Sequence, residues 1–251
     1  MKIDLNCDLG EGQGDDAAIL PFLTSASVAC GLHAGGPSVM RRTVEEAARL
    51  GVAVGAHPGF DDRAHFGRRE LALPPEEIYD LVAYQIGALA AFTGRAGVGL
   101  AHVKAHGALY HLAAKSREVA EAIARAAAQT AGRVVFVGAP GSFMEGAARS
   151  SGLPFAAEGF ADRSYGDDGR LLPRSDPRAL VDGDDATVAA RAVEMVKSQR
   201  APTAEGAWLP MPMHTLCLHG DDPRAAGRAR ALRAAFDQAG ITVAPLATWL
   251  R

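Results

Sequence analysis

Two histidines and a lysine alternate in His102-Val-Lys-Ala-His106, inside the stretch Gly99 to Tyr110. Side chains two apart on a strand share a face, so this spacing predicts a strand running into a glycine turn, with both imidazoles and the ammonium on one side. A lysine between two histidines repels their protonated forms and is costly to bury unless it serves an anion or has a paired acid. Such a face suits catalysis. Lys104 would stabilise a developing oxyanion or bind a phosphoryl group, and a neighbouring histidine, His102 or His106, would act as acid or base. The chain has four lysines against 22 arginines, so a mid-strand lysine marks a place where a guanidinium would not serve.

Other reactive side chains fall at corresponding places. Asn6 and Asp8 share a face of the first apolar segment, and Glu11 follows in a loop with Gly10, Gly12 and Gly14. That glycine spacing is neither a Walker nor a dinucleotide pattern; a flexible turn and a phosphate cradle both stay open. His33 and His57 each lie just past a strand-like segment. With Asp8 they could form a facial metal set, and they could equally bind substrate or transfer protons near neutral pH. Glu158 closes the apolar run Phe155-Ala-Ala-Glu, where it reads as a general base, as the counter-charge of Lys104, or as a buried partner of an arginine such as Arg163. His219 with Asp221 closes the last such run, whereas His65, His111 and His214 read as loop or surface residues. Cys7, Cys30 and Cys217 lie far apart and suit buried reduced thiols; a catalytic thiol at Cys30 is the alternative.

These residues need a scaffold that gathers them. Strand patterns are predicted at Lys2–Cys7, Ser25–Cys30, Val52–Ala56, Leu100–Lys104, Val134–Val137, Phe155–Glu158 and Thr215–Leu218. Helical patterns are predicted near Asp16–Leu23, Pro37–Leu50, Pro75–Phe92, Ser116–Ala131, Ser142–Ser151, Asp185–Ser198 and Asp222–Ala239, with Gly51, Gly132, Gly152 and Gly240 as their stops. Seven β-α units with no break in composition imply a parallel sheet. Nearly every strand ends in a reactive side chain, and only a closed ring brings all those ends to one mouth, so the expectation is an α/β fold, a seven-stranded TIM-like barrel, in one domain over residues 1–251. The irregular segment Phe160–Pro177 reads as a lid over that mouth or as a solvated loop. A net charge of −3 argues against nucleic acid or an anionic membrane as partner. The N-terminus shows no signal-peptide pattern and no apolar run reaches membrane-spanning length, so a cytoplasmic protein is expected.

Longer stretches carry a resemblance. Asp4-Leu-Asn-Cys-Asp-Leu-Gly-Glu11, Thr24–Gly35, Gly55-Ala-His-Pro-Gly-Phe60 with Phe66-Gly-Arg-Arg69, Tyr84–Leu89, His102–Tyr110, Phe160-Ala-Asp-Arg-Ser-Tyr165 and Leu216–Asp221 together resemble the LamB/YcsF family, whose members form the A component of bacterial 5-oxoprolinase. The resemblance implies a seven-stranded barrel related to glycoside hydrolase and polysaccharide deacetylase folds. It also implies ATP-dependent opening of 5-oxo-L-proline to L-glutamate with subunits B and C, ATP entering as co-substrate with Mg2+. On that reading Lys104 serves a phosphate and Glu158 or one of His33, His57 and His106 activates water. Arg163 or Arg69 holds the substrate carboxylate, and Asn6, Asp8, Glu11, His102 and His219 complete the mouth. A homo-oligomer is compatible with all of this. The chain departs from the family pattern in a shorter loop after Glu11, at Gly36, and at Ala105 and His111. The competing readings are a metal-dependent amide hydrolase acting without ATP and a non-catalytic ligand-binding subunit.

Overall fold

Along Lys2–Leu9 apolar and polar residues alternate: Ile3, Leu5, Cys7 and Leu9 pack into the main hydrophobic core, while Asp4, Asn6 and Asp8 occupy the alternate positions. In a strand that alternation sends the two sets to opposite faces. The computed structural model, which describes residues 1–220 and 224–250, closes such strands into a ring.

The elements run in order β1 (Lys2–Leu9), α1 (Asp16–Ile19), β2 (Ser25–Ala29), α2 (Pro37–Leu50), β3 (Ala53–His57), α3 (Pro75–Arg95), β4 (Leu100–Lys104), α4 (Gly107–Lys115), α5 (Arg117–Ala131), β5 (Val135–Gly138), α6 (Phe143–Ser150) and β6 (Phe155–Phe160). They continue with α7 (Asp185–Ser198), β7 (Arg200–Pro202), β8 (Trp208–Pro210), β9 (Thr215–His219), α8 (Ala225–Gln238) and β10 (Thr242–Val243). Parallel pairing runs β1-β2-β3-β4-β5-β6-β9 and returns from β9 to β1, closing a seven-stranded parallel barrel as expected. β10 adds two residues beside the start of β1. The helices surround the ring, and their apolar faces meet the outward side chains of the strands in the main core.

The helix boundaries follow local chemistry. Pro37 and Pro75 open α2 and α3, Ser116, Ser142 and Asp184 cap α5, α6 and α7 through their side chains, and Gly51 ends α2 in the left-handed conformation. The structure also corrects the sequence reading in places. Gly107 does mark a turn, but the chain continues into α4, a helix missed because it starts on glycine with no side-chain cap. The β7–β8 hairpin lies in a proline-bounded stretch that carries no strand pattern. Asp221 and the Asp221-Asp222-Pro223 helix start lie outside the described residues. Among the described residues no helix is long and apolar enough to cross a membrane.

Between β6 and α7 the chain arches over the C-terminal end of the barrel. Short bridges join Arg163 to Leu180 and Tyr165 to both Leu171 and Thr203. Arg191, from α7, donates to the carbonyls of Phe160, Ala161 and Arg163. The segment is therefore a pinned cover, with Asp167, Asp168, Arg170 and residues 173–175 exposed on it.

Candidate active site

The interior of the ring is polar, because the inward positions of adjacent strands are in register. Asp4 stands opposite Thr215, Asn6 opposite Ser25 and Cys217, and Asp8 opposite Ser27 and His219. At the bottom, Thr24 and Ser25 hydroxyls donate to one oxygen of Asp4 at 2.8 and 2.6 Å, and Thr215 donates to the other at 2.6 Å. Burial pushes Asp4 up to about 6 against those hydrogen bonds. Asn6 forms the next layer, its amide NH2 donating to Thr215 Oγ1 at 2.7 Å and Glu158 Oε1 at 3.1 Å.

Above Asn6 sits Lys104, whose ammonium reaches Asp8 Oδ1 at 2.6 Å, Glu158 Oε1 at 2.9 Å, Asn6 Oδ1 at 3.0 Å and Cys217 Sγ at 3.3 Å. Burial opposes its charge, but Asp8 and Glu158 hold it well above the ordinary lysine value. Burial likewise opposes the charge of Asp8, and His57 and Lys104 draw its carboxyl well below the usual range. Glu158 is thus the counter-charge of Lys104, in contact with Tyr110 on α4, and Arg163 is not its partner. Cys217 is a neutral thiol, driven up by burial. The Cys30 thiol, at about 12 for the same reason, is no nucleophile at neutral pH.

Beside this ion cluster, the strand ends of β3 and β4 and the loops after β1 and β2 bring Glu11, His33, His57 and His106 together, their ligand atoms within 4.8 Å of one another. His33 stacks on His106 with ring centroids 3.8 Å apart, and His57 meets both edge-on. Their position depends on missing side chains: a Cβ on Gly59 would come within 2.6 Å of His33 Nδ1. Burial pulls His33 down to about 3, so its ring is neutral. Burial also opposes the charge of Glu11, yet His106 and His33 keep its carboxyl below the usual range. The expected Asp8–His33–His57 set is therefore rearranged. Glu11 and His106 stand with the two histidines, while Asp8 touches only His57 of them, at 3.3 Å, and belongs to Lys104.

A cavity of about 350 Å³ opens above both clusters. Asp8, Glu11, His57, Lys104 and His106 form its base, and Leu171, Leu172, Pro173 and Arg174 of the cover form its roof. Most expected mouth residues gather here, at different depths. His102 does not reach the cavity. Its ring fills the space left by Gly55 below the mouth, with Ser27 Oγ 3.1 Å from Nε2, and burial lowers it to about 3. Arg69 points away, its side chain more than half exposed beside Asp62; Arg68 lines the cavity instead. Arg163 reaches the wall, but its Nε and Nη2 donate to the Ala179 and Leu172 carbonyls and pin the cover. His219 lines the wall with its Nδ1 held by Asp162 at 2.9 Å.

Sequence reasoning misses Arg68, His111, Tyr110, Arg174 and Asp162. His111 is exposed, as a surface residue should be, but on α4 it also lines the cavity. The one available signal is the polar string Asp162-Arg163-Ser164 directly after an apolar strand. The glycine loop after β1 is not an open phosphate cradle at its start, because the Gly10 N–H donates to the Asp16 carboxylate at 2.8 Å.

Comparison with known proteins places this architecture. The LamB/YcsF family model matches residues 3–251. The A component of a 5-oxoprolinase from Methylococcus capsulatus is 50% identical over 253 residues, covering 99% of this chain and 97% of that protein. Its counterpart from Tolumonas auensis is 46% identical over 247 residues, covering 96% and 98%. The crystal structure of a lactam utilization protein from Thermus thermophilus superposes with a TM-score of 0.91 at 44% identity, covering 98% of this chain and all of that one. With a matching family model along almost its whole length and close relatives end to end, this chain belongs to the LamB/YcsF family.

Proposed function

We propose that this chain is the lactam-handling component of a 5-oxoprolinase, opening 5-oxo-L-proline to L-glutamate at the expense of ATP together with subunits B and C. The observation that carries the reading is the cavity itself. It joins a compact polar base, with an ionised Asp8 and two imidazoles, to a roof and wall carrying Arg68 and Arg174. At about 350 Å³ it lies at the small end of the roughly 300–1,000 Å³ range of ligand sites, a size for a small polar acid. The relatives named for 5-oxoprolinase and for lactam utilization support the choice of lactam.

The chemistry asks for such a division of labour. A five-membered lactam is a resonance-stabilised amide, and after hydrolysis its amine returns readily to the nearby carboxyl. Transfer of the γ-phosphoryl group of Mg-ATP to the lactam oxygen, with release of ADP, makes the ring carbon electrophilic. One water adds there, the C–N bond breaks with the nitrogen taking a proton, and a second water releases inorganic phosphate from the acyl phosphate, so that ATP hydrolysis drives the opening. Arg68 and Arg174 offer bidentate partners for the substrate carboxylate or the phosphoryl group. Lys104 is already surrounded by Asp8, Glu158 and Asn6, so its part is to fix Asp8 and to supply positive potential from beneath. Asp8 is too weak a base for water, which leaves the His57–His106 pair at the cavity wall to activate it. Mixing the chain with subunits B and C and following ADP release tests the proposal. ADP production that depends on 5-oxoproline and on all three components supports it; no stimulation over the partner subunits alone overturns it.

A further inference from the structure

The imidazoles of the mouth are oriented by groups that fix which nitrogen carries the proton. A carbonyl oxygen only accepts, so His57 must donate from Nδ1 to the Lys104 carbonyl at 2.8 Å, and His106 from Nε2 to the Phe66 carbonyl at 2.8 Å. In neutral rings the remaining atoms, His57 Nε2 and His106 Nδ1, are then bare lone pairs 3.0 Å apart. A third acceptor, Glu11 Oε1, lies 3.2 Å from His106 Nδ1, 3.7 Å from His57 Nε2 and 3.3 Å from His33 Nε2. Acceptors facing acceptors in a buried site repel unless something positive stands among them.

The spacing suits an ion. Metal–ligand bonds of roughly 2.0–2.2 Å place tetrahedral ligands about 3.3 Å from one another, close to the separations around Glu11 Oε1. Charge points the same way: Asp8 and Glu158 share the Lys104 ammonium, whereas the carboxylate of Glu11 has imidazoles beside it. The backbone carbonyls that hold His57 and His106 are the outer partners that orient metal-ligating histidines elsewhere. We propose that Glu11, His57 and His106 bind one divalent transition-metal ion of the Zn2+ type, with His33, stacked on His106, at their side.

Imidazole nitrogens with one carboxylate oxygen select such an ion over Mg2+ or Ca2+, which take oxygen ligands. Since Glu11, His57 and His106 line the cavity, a bound ion would face it beside Asp8. The site does not depend on the lactam reading, because any occupant of the mouth leaves the same lone pairs to be satisfied. The alternative occupant is a proton shared between His57 and His106, and the experiment separates the two.

The untagged full-length chain, stripped with a chelator and dialysed, is titrated near neutral pH with ZnCl2 by calorimetry, without substrate, ATP or partner subunits. One saturable site per chain is expected, with affinity reduced at least about tenfold in Glu11→Gln and in His106→Ala. His65→Ala, a substitution at an exposed histidine outside the cluster, keeps wild-type affinity. Nitrogen-15 spectra of the wild-type histidines provide a reading that needs no variant to fold: Zn2+ must move the resonances of His57 Nε2 and His106 Nδ1. No saturable binding by the folded wild-type chain, or unmoved imidazole resonances at saturating Zn2+, overturns the site and assigns the gap to a proton. Either result leaves the 5-oxoproline-dependent ADP assay to decide the lactam reading separately.

Discussion

Two polar clusters share the barrel axis and are built on opposite rules. In the floor, donors meet acceptors: hydroxyls on Asp4, the Asn6 amide on Thr215 and Glu158, the Lys104 ammonium on Asp8, Glu158 and Asn6. In the mouth, a few ångströms away, His57 Nε2, His106 Nδ1 and Glu11 Oε1 turn acceptors toward one another. A matched network is rigid and holds its members in place. An unmatched one stores a demand that a ligand, ion or proton must meet. The difference separates residues that position the site from residues that work in it, although both sets are buried, charged and adjacent.

Five substitutions test that division. The largest effect belongs to the floor: Lys104→Met leaves Asp8 and Glu158 buried without a counter-charge, and should cost about 3–5 kcal/mol in urea unfolding. A loss under about 1 kcal/mol would mean that Lys104 is not the keystone of the floor. Next is a pH effect at Asp4. Its value is raised on folding, so the folded chain takes up a proton as pH falls from about 7 to about 5, and this group's contribution favours folding at the acid end and fades as pH rises through 6. The difference in stability between wild type and Asp4→Asn should therefore change by about 1.3 kcal/mol between pH 7 and pH 5, and by up to ~3 kcal/mol once the pH falls below the unfolded value of 3.8. Parallel curves would show that Asp4 titrates normally.

The mouth should behave in the opposite sense. His106→Gln, compared in chelator-treated protein, should leave the unfolding midpoint unchanged or raised while turnover of the reconstituted complex falls at least about a hundredfold. A variant that unfolds easily but keeps its turnover would reverse the comparison. The smallest effect distinguishes two neighbouring arginines. Arg68→Ala should raise KM for the lactam about tenfold, whereas Arg69→Ala, which removes only an exposed contact with Asp62, should leave KM unaltered and cost no more than about 1 kcal/mol.

Much of this is legible in the sequence, for a definite reason. The barrel follows from period-two alternation in Lys2–Leu9 and its counterparts, because parallel strands in register carry every inward polar residue to the same axis. His102, Lys104 and His106 do share a face, as their spacing requires, but sharing a face is not sharing a layer. Lys104 and His106 reach the cavity, and His102 lies one layer down in the space opposite Gly55. Depth along a strand depends on the stagger between neighbours, which no single segment encodes. Which arginine, 68 or 69, enters the cavity is equally hidden. It depends on a tight turn in which Phe66 and Gly67 both take positive φ, at 57° and 63°. The α4 helix is hidden by its uncapped glycine start, and with it His111 and Tyr110.

The central claim is that the imidazole mouth does the chemistry on a lactam while the floor only holds it. The most direct measurement is 5-oxoproline-dependent ADP and glutamate formation by the chain mixed with subunits B and C, wild type against His57→Ala. Equal amounts of both products with wild type, and loss of both with a variant that stays folded, is the predicted result. Undiminished turnover with His57→Ala, or none beyond that of the partner subunits with wild type, would contradict it.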